Sequence, residues 1–179
     1  MKIIEALKQI KDLQRKAEDI RNKIGVSCAD LSIETPAYGE NQKEQVRQWL
    51  QAHSDIIKEI LRLRFAVMGT NVVTSVTIEL GGKQVTKTIA EWLLRRGGKN
   101  REGSLSALEL AAWSKLTDRG LKGKEGAIPS STGGESQPVK VRYYFDPAER
   151  DVKKDELQSE PSLIDGRLEV VNAVTDLVE

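Results

Sequence analysis

The sequence predicts an α+β fold. Three observations point there: two long segments with helical apolar periodicity at the start, a β-branched run that alternates with period two, and a return to helical spacing at the C-terminal end. The expected architecture is a long, coiled-coil-like antiparallel helical hairpin, two β-hairpins and a C-terminal helix. Residues 1–68 are expected to form the helical hairpin. Residues 69–179 are expected to form an α+β portion that makes a single compact unit with it.

The first 25 residues carry Ile3, Leu7, Ile10, Leu13, Ala17, Ile20 and Ile24 at spacings of 4, 3, 3, 4, 3 and 4. The average, 3.5, is the coiled-coil period. Lys, Gln, Asp, Arg and Glu fill the gaps, and Gly25 is the expected stop. Thr35-Pro36 and Tyr38-Gly39 mark a connector over 26–40. The second helix is expected from about Asn41 to Gly69. Its stripe is Val46, Leu50, His53, Ile57, Ile60, Leu63 and Val67, widened by Trp49, Ile56 and Leu61. Two matching narrow stripes predict a hairpin whose remaining apolar surface is covered either by the rest of the chain or by self-association. The seam residues are Leu7, Ile10, Leu13, Ile20, Leu50, His53, Ile57 and Ile60.

In NVVTSVTIEL, Val72, Thr74, Val76 and Ile78 alternate with Val73, Ser75, Thr77 and Glu79, the pattern of a strand. Gly81-Gly82 is a two-residue turn, and KQVTKT is the return strand. Thr88-Ile89-Ala90-Glu91 reads as a capping box opening a third helix. RRGGKNREGS then interrupts the helical pattern as an exposed loop. Ser106-Ala-Leu-Glu109 is a second capping box, with a helix to about Thr117 closed by Gly120. Residues 121–138 are rich in Gly, Ser and Pro, the composition of a flexible linker or of a second β-hairpin; the hairpin is the favoured reading, with VKVRYYF as its return strand. Asp146-Pro147 starts a helical turn, and Glu160-Pro161-Ser162 starts the last helix.

Composition excludes several classes of function. The chain has 179 residues, 28 Lys and Arg against 27 Asp and Glu, and a net charge of +1. No bulk field draws it to nucleic acid or anionic membranes. One Cys and one His rule out a disulfide framework and multi-Cys or multi-His metal sites. No apolar run of membrane-spanning length and no signal-peptide core occur, so a soluble protein made in a cytoplasm is expected. Cys28 and His53 could form a dyad only if the hairpin brought them together; a small thiol and a polar seam residue is the better reading. His53 and Asp55 do not share a helix face. GGKQVTKT lacks the spacing of a phosphate loop. No enzyme, cofactor, metal or small-molecule substrate is expected. Arg95, Arg96, Lys99 and Arg101 make a local basic loop and a candidate partner contact. Tyr143, Tyr144 and Phe145 suit a protein interface.

Three segments together, TNVVTSVTIELGGKQVTKTIAEWLLRR at 70–96, YYFDPAERD at 143–151 and EPSLIDGRLEVVNAVTDL at 160–177, resemble a family of small tailed-bacteriophage proteins classed as a domain of unknown function. With the opening helix and HSDIIKEI, the resemblance covers nearly the whole chain. The strand–turn–strand–TIAEWL stretch is also similar, more distantly, to small septicolysin-like bacterial proteins. RRGGKNREGS departs from the family, replacing continuous helix. The resemblance carries no catalytic motif. It implies a non-enzymatic virion component, assembled in the host cytoplasm: capsid cement or decoration, or a head–tail or tail accessory protein. The implied partners are its own copies and other virion proteins, the major capsid, portal or tail proteins, without membrane or small molecule. The alternative is a cytoplasmic phage-encoded regulatory or nucleic-acid-associated protein.

Overall fold

The computed structural model describes residues 1–116 and 143–178. Its elements are α1 (Ile3–Ser27), α2 (Gln42–Val73), β1 (Ser75–Leu80), β2 (Lys83–Thr88), α3 (Ile89–Arg96), α4 (Leu105–Trp113) and α5 (Pro147–Val174), with short 3-10 turns at Gly39–Asn41 and Lys99–Arg101. The α+β class holds. The expected second β-hairpin over 121–138 and the end of the helix at Thr117 and Gly120 lie outside the described residues.

The chain divides into two compact units. The first comprises Met1–Val76, Thr88–Ala90 and Leu168–Glu179; the second comprises Thr77–Lys87 and Glu91–Arg167.

In the first unit α1 and α2 pack as the expected helical hairpin. Ile10, Ile60 and Leu63 form the buried centre, with Leu13 and Ile56 against it. The buried face of α1 is Ile3, Ala6, Ile10 and Ala17. It is rotated from the expected stripe: Ala6 is inside and Leu7 outside. A small side chain at Ala6 lets the backbones approach, and the larger Leu7 falls on the flank.

Neither glycine stops its helix. Gly25 lies inside α1, and α2 runs through Gly69 to Val73, past the expected boundary at residue 68. A mid-helix glycine costs about 1 kcal/mol. At Gly69 the burial of the next turn offsets it. Thr70 is fully buried, its hydroxyl donates to the Ala66 carbonyl at 2.8 Å and accepts from the Val178 amide at 2.9 Å. Asn71 to Val73 are therefore helical, and the strand starts at Ser75.

The C-terminal tail closes this unit against the N-terminus. The Ile3 amide donates to the Thr175 carbonyl at 3.0 Å, and the Leu177 amide to the Met1 carbonyl at 2.8 Å. Lys2 Nζ reaches Asp176 at 2.5 Å and the Val174 carbonyl at 2.9 Å.

The turn and return strand of the β1–β2 hairpin match the sequence reading, and the first strand is shorter than expected at its start. Gly81 and Gly82 have φ of +56° and +75°, as a turn with both central residues left-handed requires. Thr77 and Thr86 hydroxyls pair across the strands at 2.7 Å, and Gln84 donates to Glu79 at 3.1 Å. Val76 and Ile78 are the buried face.

In the second unit the expected interruption after α3 is a tight turn. Gly97 has φ of +79°, and a Cβ there would lie 2.8 Å from the Ser104 backbone nitrogen. The α4 cap is Ser104 rather than Ser106. Its hydroxyl accepts from the Ala107 amide at 3.1 Å and donates to the Arg95 carbonyl at 2.6 Å, so one side chain fastens α4 to the end of α3. Tyr143–Phe145 is not a strand: Tyr143 and Phe145 meet edge to face at 5.5 Å, beside the Asp146 cap that opens α5.

The helical turn expected at Asp146 and the last helix expected from Glu160 are one helix, α5, with Pro161 inside it. An interior proline costs about 3 kcal/mol. Here Leu157, Glu160, Pro161, Ile164 and Leu168 form one buried stripe. That burial holds the helix continuous through the missing hydrogen bond.

Candidate interaction surfaces

The predicted seam separates into two groups. Ile10 and Ile60 are buried, and Leu13, Ile20 and His53 are half-buried. These serve the packing of α1 on α2 within the chain. Leu7, Leu50 and Ile57 are exposed.

The exposed members belong to a second stripe on α2. Leu50, Ile57, Leu61, Phe65, Met68 and Val72 recur at spacings of 7, 4, 4, 3 and 4, and each is between 47% and 75% exposed. At about 100° per residue they lie on one face of α2, turned well away from the buried stripe, with Phe65 opposite the buried Leu63 and Val67. A groove between the helices takes in one edge of this face: α1 contributes Gln14, Glu18 and Arg21, and α2 contributes Ile57, Leu61 and Arg64, whereas Phe65 lines a different groove. Leu7 lies seven residues before Gln14, and Ile4 fourteen before Glu18, so both share that face of α1. The sequence reading took Leu61 as a widening of the seam and passed over Phe65 and Met68. Their spacing was the available signal.

A separate apolar groove of the first unit is lined by Met1, Phe65, Gly69, Val73, Leu177 and Val178. Among the described residues, no helix is long and apolar enough to cross a membrane.

The basic loop is not a free cluster. Arg95 ends α3, and its guanidinium forms a two-pronged pair with the buried carboxylate of Glu160, one prong Nη2 to Oε2 at 2.8 Å. The same guanidinium also holds Glu109 at 3.1 and 3.2 Å. The Glu160 hydrogen bond, followed by that of Glu109, raises Arg95 above its already high ordinary pKa against the opposing effect of burial. Arg96 binds Asp165 at 2.7 Å and the Gly97 carbonyl at 3.2 Å. Arg101 is exposed, with φ of +61°. Lys99 sits on the same turn, its side chain outside the described part. The acids that hold Arg95 and Arg96 come from up to 69 residues away, and no local spacing could have found them.

Cys28 is exposed, and its Sγ lies 3.6 Å from the Gly25 carbonyl. It lines a pocket with Gln42 and Val46, whereas His53 lines the groove with Gln14 and Ile57. The fold puts the two in different places, so no dyad forms. Among the described residues, no three His, Cys, Asp or Glu side chains group as a metal site requires.

No protein-family model matches the chain, and no curated protein matches it. It is similar in structure to the crystal structure of a functionally unknown conserved protein from Corynebacterium diphtheriae. The TM-score is 0.54 and the identity 22%, over 99% of each chain. The likeness is one of fold, and it extends across the whole architecture rather than the helical hairpin alone.

Proposed function

We propose that this chain is a non-enzymatic assembly protein that works by binding copies of itself and neighbouring subunits. The setting we propose, from the sequence resemblance, is the virion of a tailed bacteriophage. There it serves as capsid cement or decoration, or as an accessory at the head–tail junction or tail. Its partners are then the major capsid, portal or tail proteins.

The observation that supports this reading is the exposed apolar face of the α1–α2 hairpin. A single chain leaves Leu61, Phe65 and Met68 in water at 66%, 75% and 64% exposure. Contiguous apolar surface of this kind marks an association site. Many weak contacts of one type, repeated over an assembly, give firm attachment through avidity. The nucleic-acid alternative draws on Arg95, Arg96, Lys99 and Arg101, and two of these four cations are already held by carboxylates of the chain itself.

Mass spectrometry of purified virions tests the reading, with copy number measured against the major capsid protein. Hundreds of copies are expected for a capsid-wide role, and about a dozen or fewer for a portal, junction or tail role. Absence from the particle overturns it.

A further inference from the structure

We infer that the groove between α2 and the C-terminal tail binds a fatty acid, with its carboxylate on Arg62 and its chain laid along the helix. The inference goes beyond the assembly reading above and does not rest on it.

The groove belongs to the first unit and has a volume of about 690 Å³, within the range of small-molecule sites. Its floor is a line on α2. Arg62, Ala66, Gly69 and Val73 stand at steps of 4, 3 and 4, and at about 100° per residue these steps keep them on one strip of the helix. Phe65 forms the rim on one side. The tail forms the rim on the other. The Val178 amide donates to the Thr70 hydroxyl at 2.9 Å and the Leu177 amide to the Met1 carbonyl at 2.8 Å, so Met1, Leu177 and Val178 wall the end nearer Val73.

The middle of the floor is open because residue 69 is a glycine. Glycine weakens a helix interior, yet α2 runs on through it to Val73. The packing of the chain does not call for it: a Cβ at position 69 would meet nothing within 4 Å. A larger residue would suit the helix and fill the groove, so the missing side chain serves the space above it.

The lining selects the ligand. Among the described residues that line the groove, Arg62 alone has a polar side chain. An extended peptide laid along the strip would leave its amides without partners, whereas an alkyl chain asks for none. The cation stands at one end. Glu59 accepts from its Nε at 2.9 Å and from its Nη2 at 2.7 Å. A guanidinium has donors on a second edge, and the Nη1 edge is left for the carboxylate of a ligand. From Arg62 to Val73 the strip is about 16 Å long. An extended alkyl chain, advancing about 1.3 Å per carbon, covers it with about twelve carbons.

Isothermal titration of the full chain with dodecanoate, kept below its micelle concentration, tests the site. One molecule per chain is expected to bind, with a Kd of about 10 μM. Gly69→Leu fills the floor and should weaken binding at least about 30-fold, while its thermal midpoint rises because leucine is the better helix former. Arg62→Gln should weaken the ten-carbon acid about tenfold and leave the ten-carbon alcohol unchanged. Leu61→Gln, on the other groove, should bind dodecanoate as the wild type does. The absence of saturable binding up to about 500 μM overturns the inference, as does a folded Gly69→Leu variant that binds like the wild type. Equal losses in Leu61→Gln and Gly69→Leu would reveal general adsorption on exposed apolar surface and overturn it too. An Arg62→Gln variant with full affinity for the acid overturns the placement of the carboxylate.

Discussion

The two units of the molecule are built from different materials. The first is an apolar seam: Ile3, Ala6, Ile10, Ala17, Ile60, Leu63 and Val67 are buried along α1 and α2, with Thr70 as its buried polar residue. In the second, polar side chains share the inside with Trp92, Leu157 and Ile164. Ser104, Ser106 and Glu160 are all buried there. Burying a carboxylate is expensive unless it is paired and hydrogen-bonded, and the two-pronged bond from Arg95 supplies both. The apolar seam is non-directional and tolerates small shifts. The polar unit depends on a few bonds of fixed geometry. The one should therefore fail by losing volume, and the other by losing a partner.

The largest effect is expected from Leu63→Ala, which empties a fully enclosed position at the centre of the seam. Its side chain is 1% exposed, and truncation there should cost about 3–4 kcal/mol. Leu61→Ala, two residues away and 66% exposed, should change the chain's own stability by less than about 0.5 kcal/mol. Denaturant midpoints of the two variants, taken with self-association suppressed by dilution, measure the contrast. Equal losses at both positions would erase the distinction between inner and outer stripe. The next largest effect belongs to the polar unit. Glu160→Gln keeps the shape and removes the charge, leaving Arg95 with Glu109 alone, and should cost about 2–3 kcal/mol. Adding Arg95→Met to that variant should recover part of the loss, because a half-buried cation that has lost its buried carboxylate keeps its desolvation cost with only Glu109 to offset it. A double variant less stable than Glu160→Gln would place the value of Arg95 in its packing, not its charge.

This difference in material is also why one unit was legible in the sequence and the other only in part. An apolar helix face repeats every few residues, so α1, α2 and their antiparallel pairing follow from spacing. The β1–β2 hairpin follows from alternation and two glycines. What spacing cannot give is which flank of a wide apolar helix turns inward. Leu7 and Ala6 are neighbours, and the choice between them is made by how closely the helices approach. The second unit is specified by pairs such as Arg95 with Glu160 and Arg96 with Asp165, 65 and 69 residues apart. Read locally, those arginines look like a free basic loop. The same long-range pairing anchors the stretch around Pro161, where a local reading starts a new helix and the structure continues α5.

The smallest expected effect tests the clasp that fastens the C-terminal tail within the apolar unit. The Lys2 ammonium, through its hydrogen bond, lowers the Asp176 carboxyl below its ordinary value of 3.8. Both groups sit near the surface, so the contribution is modest and weakens with salt. Its sign is fixed by linkage. A carboxyl whose pKa is depressed on folding stabilises the folded chain above the unfolded value, and that contribution disappears as pH falls through the folded one. Wild type and Asp176→Asn should therefore differ at about pH 5 and converge as the pH falls through the depressed pKa of the folded carboxyl. The amides of Ile3 and Leu177, which donate to Thr175 and Met1 across the clasp, are the reporters. Their hydrogen-exchange protection should be greater in the wild type at the higher pH and equal to the variant's at the lower. A difference that persists unchanged at low pH would assign the clasp to the backbone bridge and leave the Lys2–Asp176 pair without effect on the tail.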